Sequence, residues 1–171
     1  MIKIALTNLG KYTEGQLVDQ WLTLPATDEE IQGAKDAIGI NEEYEEWFIT
    51  DYESDIEDLK IGEYEDLETL NELAERYEAL EEHEQDAVKA VFEAHCNDLE
   101  EALDIVEEGR YVLYSECDDL TALAEMLVEE GYYGDTSKMG ELAMYIDYER
   151  LGHDLDCDGY TETSYGVIRV D

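Results

Sequence analysis

The chain has 171 residues, and its 48 Asp and Glu face only 10 Lys and Arg, a formal net charge of −38. That balance excludes a nucleic-acid binder, which needs a basic face, and no apolar run approaches the ~20 residues that span a bilayer. Strongly acidic composition commonly marks disorder, but 44% hydrophobic residues, 13 Tyr, 2 Trp and a single Pro supply the material of a core.

In chain order, Ile2-Lys3-Ile4-Ala5-Leu6-Thr7 alternates as an opening strand does, and Asn8-Leu9-Gly10-Lys11 reads as a turn. The N-terminus is too short for a secretory apolar core and lacks a cleavage site, so a cytoplasmic protein is expected. Gln16 to Leu24 reads as a second strand ending at Pro25. Thr27-Asp28-Glu29-Glu30 is a capping box, with Thr27 as N-cap and Glu30 three residues on. The helix that follows ends near Gly39. Glu46 to Tyr52 reads as a third strand.

After Gly62 the pattern becomes helical. Leu67, Leu70, Leu73, Ala74 and Tyr77 recur at helical spacing, as do Ala87, Val88, Val91 and Phe92, and then Leu99, Ala102, Leu103 and Val106. Asn97 is the expected cap of the third helix and Gly109 its stop. Arg110 to Ser115 reads as a strand. Asp118 or Asp119 caps a helix carrying Leu120, Leu123, Ala124, Leu127 and Val128, closed by Gly131. A further helix is expected from Glu141 to Leu151, and Tyr165 to Val170 as a final strand. The fold class is α+β, in three small lobes: 1–61 (α+β), 62–109 (a helical bundle) and 110–171 (α+β).

Chemistry-bearing motifs are few. Cys96, Cys117 and Cys157 are odd in number and contain no CxxC, which argues against a disulfide framework. His83, His95 and Cys96 fit no common zinc spacing. Asp154-Leu155-Asp156-Cys157-Asp158-Gly159 matches the first half of a calcium loop, but Tyr165 stands where a bidentate Glu is needed. A turn rich in Asp and Gly before an edge strand is the competing account. No Gly-rich phosphate loop, GxSxG or HExxH occurs, and no catalytic residue, cofactor or metal is assigned.

The carboxylates themselves are the main candidate. Glu68, Glu72, Glu75, Glu78 and Glu82 fall three or four residues apart, one stripe on a helix. The same excess recurs along the chain, beyond what solubility needs. Duplex DNA carries one charge per about 1.7 Å, so 38 charges correspond to about 65 Å of duplex, roughly 19 base pairs. Adaptation to high salt also produces acidic surfaces, but the 13 Tyr and the abundance of Glu favour a functional polyanion. The candidate target-binding residues are Glu42, Glu43, Glu46, Asp51, Glu53, Asp55, Glu57, Asp58, Glu68, Glu72, Glu75, Glu82, Asp118 and Asp119.

Four stretches carry a resemblance. They are Leu6-Thr7-Asn8-Leu9-Gly10-Lys11-Tyr12-Thr13-Glu14-Gly15 followed by Trp21; Glu46-Trp47-Phe48-Ile49-Thr50-Asp51-Tyr52-Glu53; Ile61-Gly62-Glu63-Tyr64-Glu65-Asp66-Leu67; and Tyr145-Ile146-Asp147-Tyr148-Glu149-Arg150-Leu151 with His153-Asp154-Leu155. In their order and spacing they resemble the ArdA antirestriction family, encoded on conjugative plasmids and transposons. The resemblance implies a non-enzymatic mimic of bent DNA, a curved chain of three lobes paired as a homodimer through the C-terminal lobe. Its partner would be a Type I restriction–modification enzyme, whose DNA-binding groove it occupies. The family's antirestriction motif would fall near Leu123, Met126, Leu127, Val128, Glu129, Glu130, Tyr132 and Tyr133, a region that reads equally as a dimer contact. Residue patterns alone leave two other readings open: an acidic calcium binder using Asp154, Asp156 and Asp158, and a polyanionic inhibitor of another DNA-binding protein.

Overall fold

The structure, a computed structural model, describes all 171 residues, Met1–Asp171, as a mixed α+β chain. It divides into two compact units, Met1–Glu81 and Glu82–Asp171. No helix is long and apolar enough to cross a membrane.

The first unit is built on a three-stranded antiparallel sheet of order β2-β1-β3, formed by β1 (Ile2–Asn8), β2 (Asp19–Leu24) and β3 (Trp47–Ser54). The central strand is the apolar one: Ile2, Ile4, Ala5 and Leu6 are each at most 2% exposed, so the most hydrophobic segment takes the position with a neighbour on either side. The expected turn after β1 is instead a short helix, α1 (Leu9–Thr13). Asn8 drives it: its side-chain oxygen accepts from the Lys11 N–H at 2.9 Å as an N-cap. The Asn8 amide also donates to the carbonyls of Ile38 and Gly39, and the Lys11 ammonium donates to Ile38 O at 2.9 Å. One buried Asn thus joins the end of β1 to the end of α2 (Asp28–Ile38).

The capping box of α2 forms as expected. The Glu30 N–H donates to Thr27 Oγ1, and the Thr27 N–H donates to the Glu30 carboxylate at 2.8 Å. Gly39 closes the helix at φ 79°, a left-handed conformation that favours glycine. Helix α3 (Leu67–Ala79) buries Leu67, Leu70, Ala74 and Tyr77, and its Asn71 clamps the Ala26 backbone, accepting from N–H at 2.7 Å and donating to O at 3.0 Å.

The second unit begins with α4 (Glu82–Val91), which passes into a π-helical turn, Phe92–Cys96, and then α5 (Leu99–Glu107). Asn97 does not cap α5. It ends the π turn at φ 52°, a conformation Asn tolerates, and Asp98 caps instead, its carboxylate accepting from the Glu101 N–H at 3.0 Å. Gly109 closes α5 as expected. A second antiparallel sheet, of order β4-β6-β5, joins β4 (Tyr111–Tyr114), β5 (Tyr160–Thr163) and β6 (Gly166–Val170). Strand β5 is absent from the sequence reading because its four residues show no apolar alternation. Here too the central strand is apolar, with Val167 and Ile168 buried.

Asp119 caps α6 (Leu120–Glu129), accepting from the Ala122 N–H at 2.7 Å. The helix expected over Glu141 to Leu151 is two elements. A 3-10 segment, Thr136–Tyr145, kinks at Gly140, and α7 (Tyr148–Cys157) starts afresh after Asp147, whose carboxylate caps it through the Arg150 N–H. Asp154 and Asp156 lie within α7 rather than in a loop. Residues two apart on a helix point about 200° away from each other, so these carboxylates do not converge as calcium-loop donors do. Gly159, at φ 89°, supplies the turn into β5, an edge strand.

Helices α6 and α7 pack closely at Gly152, where a Cβ would sit 3.0 Å from the Leu120 carbonyl and 3.1 Å from Thr121 N. Gly152→Ala therefore forces the two helices apart. It is expected to destabilise the protein by about 1–3 kcal/mol, the usual cost of overpacking, read as a lower urea midpoint with an unchanged slope.

Candidate target-binding surface

The exposed faces of the elements are mainly acidic, and all fourteen candidate carboxylates are solvent-exposed. Glu68, Glu72 and Glu75 project from α3 opposite its buried side, with neighbours at i and i+4 about 6 Å apart along the axis. The stripe does not reach Glu82. The helix ends at Ala79, Leu80 is extended, and Glu82 opens α4, so the helical spacing assumed for it breaks at the turn. Asp51 and Glu53 stand on β3, and Asp55, Glu57 and Asp58 in the turn beyond it. Glu42, Glu43 and Glu46 lie in the loop before β3, where Asn41 Oδ1 accepts from the N–H groups of Glu43 and Tyr44. Asp118 lines a groove of about 490 Å³ with His83, Asp86, Tyr111 and Tyr165.

Some candidates already have partners. Glu53 pairs with Lys3 at 3.5 Å, Asp55 holds the N-terminal ammonium at 2.6 Å, and Asp119 is committed to the α6 cap. Elsewhere Lys89 pairs with Asp86, Lys138 with Asp135 and Arg169 with Asp171. Four cations also lie over aromatic rings: Lys11 on Tyr44, Lys35 on Trp47, Lys89 on Tyr165 and Arg169 on Tyr160, between 5.3 and 5.8 Å from the centroids. No sequence spacing announces these ring contacts, because each joins separate elements.

Three carboxyls sit below their ordinary range because N–H and O–H donors stabilise their charged form. The Thr69 backbone N–H and then its hydroxyl do this for Asp66, the Thr27 backbone and hydroxyl for Glu30, and the Ser137 and Lys138 side chains for Asp135. Tyr44 is raised by its hydrogen bond to the Glu14 carboxylate, at 3.2 Å from each oxygen.

The motif region divides by burial. Leu123, Leu127 and Val128 are at most 4% exposed, and Leu123 and Leu127 pack in the unit's own core with Cys117, Ala124, Leu155, Tyr160 and Val167. Met126 packs against that core. These apolar side chains pack in or against the unit's own core and hold α6 in place. Glu129, Glu130, Tyr132 and Tyr133 are exposed. The exposed apolar groups continue where the sequence reading placed none, at Met139, Leu142, Met144 and Tyr145 (43–77% exposed). They lie on the 3-10 segment, whose three-residue repeat is invisible to a search at helical or strand period.

The chain is a small acidic α+β protein that presents an array of exposed carboxylates. The profile of the antirestriction protein (ArdA) family matches residues 4–169, and the chain belongs to that family. Its function is antirestriction, directed at restriction enzymes. No curated protein matches the chain.

Two outcomes follow from the electrostatics. The Asp66 cap stabilises the fold at pH values above the ordinary aspartate range, and its contribution is lost as pH falls through the depressed value. Asp66→Ala should therefore lower Tm at neutral pH, with the gap closing as pH falls through and below the ordinary aspartate range. Raising NaCl from about 0.05 to about 1 M shortens the Debye length from about 14 Å to about 3 Å. Because repulsion dominates, Tm should rise by about 3 °C or more, whereas a fold held by its surface ion pairs would lose Tm.

Proposed function

We propose that this protein blocks restriction by mimicking DNA, occupying the DNA-binding groove of a Type I restriction–modification enzyme without chemistry. The observation that carries this reading is the exposure of all fourteen candidate carboxylates on a chain of net charge −38. A Lys- and Arg-lined groove selects phosphate arrays through charge, and a folded array of carboxylates competes for the same cations. Steering makes association fast and salt-dependent. The protein acts in the cytoplasm, where its target and the invading DNA meet.

The three-lobe division at 1–61, 62–109 and 110–171 belongs to the same reading, as successive stretches of the mimic. So does a homodimer, which doubles the charged length. The exposed Tyr132, Tyr133, Leu142, Met144 and Tyr145 supply the apolar surface that pairing needs, and Glu129 and Glu130 border it.

Competition tests the proposal. Fluorescent DNA bound to a purified Type I methyltransferase is titrated with the protein at several salt concentrations. Stoichiometric displacement that weakens with salt is expected, and no displacement at low salt overturns the reading. A single change such as Glu42→Gln should weaken displacement less than about five-fold, as for one exposed ion pair. Leu142→Asp with Tyr145→Asp should give a monomer by sedimentation and weaken displacement by about ten-fold or more, through loss of bivalent attachment.

A further inference from the structure

A groove of about 520 Å³ opens in the first unit between α2, the start of β3 and α3. One wall is the half-buried indole of Trp47. Four carboxylates line it: Asp28 from α2, and Asp66, Glu68 and Glu72 from the N-terminal turns of α3. Lys35, from the last turn of α2, also lines it, with its ammonium 5.3 Å from the Trp47 ring centroid. An aromatic face beside carboxylates is the chemistry that recognises an organic cation, and the chain's own Lys35 ammonium already lies over that face. The pairing recurs where Lys11 covers Tyr44 beside Glu42 and Glu43.

From this geometry we infer that the Trp47 groove is a docking site for an arginine side chain of a basic protein partner, and that Lys35 is its resident placeholder. The inference deepens the proposed function, since it rests on the acidic surface meeting a basic partner, and it names an anchor within that surface. Arginine is favoured over lysine because a planar guanidinium can stack on the indole while its fork reaches a carboxylate bidentately. Arrival of the guanidinium displaces the Lys35 ammonium into solvent. Until then Lys35 covers the ring.

The test uses the intact protein, ¹⁵N-labelled, and follows its two indole N–H signals, assigned with Trp21→Phe. The probe is N-acetyl-arginine amide, with N-acetyl-lysine amide and NaCl at matched ionic strength as controls. The Trp47 signal is expected to shift saturably with the arginine probe, less with the lysine probe and least with NaCl, while the Trp21 signal stays still. Lys35→Met should tighten the arginine probe about two- to five-fold, the span of one exposed cation–π contact. Glu68→Gln with Glu72→Gln, both on the solvent face, should weaken it about three-fold or more. Equal shifts from all three solutes, or unchanged binding in Lys35→Met, would overturn the inference. The same variants in the DNA-displacement assay separate the two levels. If the wild type displaces DNA and the groove variants match it, the anchor is wrong and the mimicry stands. If the wild type displaces nothing but the probe still binds at Trp47, the site stands and the restriction target fails.

Discussion

Like-charge repulsion is the constraint under which everything else in this protein is arranged. A net charge of −38 on 171 residues opposes compaction, so each unit must hold itself together with short-range forces. Both do so in the same way. A small antiparallel sheet places its most apolar strand in the centre, and helices close over it. The first unit adds a buried polar clasp, with Asn8 and Lys11 tying the end of β1 to the end of α2. The second gains close helix packing at Gly152.

Part of the charge is put to local use. Helix N-termini carry partial positive charge and unsatisfied N–H groups, and aspartates cap α3, α5, α6 and α7. These carboxylates stabilise the helices they open. The scarce cations are placed where they act twice. Lys89 pairs with Asp86 and covers the Tyr165 ring, and Arg169 pairs with Asp171 and covers Tyr160. What remains is a large set of exposed carboxylates, on α3 and β3 and in the loops and turns between elements, held on a folded chain. That separates a folded polyanion from a disordered one, which would pay an ordering entropy on binding.

Elements with local signals were legible in the sequence. The Thr27 capping box, the glycine stops at Gly39 and Gly109 and the apolar faces of α3, α4 and α6 follow from neighbours a few residues apart. Segments decided by distant contacts were not. Asn8 looks like a turn residue until the carbonyls of Ile38 and Gly39 are beside it. Asn97 looks like a cap until the π turn takes it into the left-handed region and leaves the role to Asp98. The acidic surface was legible as a quantity, because nearly any carboxylate on an exposed face remains exposed. The apolar part of the motif region was not: Leu123, Leu127 and Val128 have the composition of a contact surface, but their helical spacing equally defines a core face, and α7 and the second sheet cover it. The Trp47 groove left no trace in the sequence, since Lys35, Trp47 and Glu68 come from three elements.

Repulsion also links folding to binding. Under the proposed mimicry a basic partner would relieve the repulsion within the free protein, so binding would stabilise the fold as well as the complex, in the manner of any ligand that binds only the native form. Salt acts on the two processes with opposite sign. Screening eases repulsion within the chain and strengthens the fold, yet it weakens the attraction between carboxylates and a cationic groove. A carboxylate that serves only as a cap weakens the fold when removed and leaves binding untouched. One that serves only the partner strengthens the fold when neutralised and weakens binding. The two readouts together therefore sort the 48 acidic residues by role, a division that exposure alone does not make.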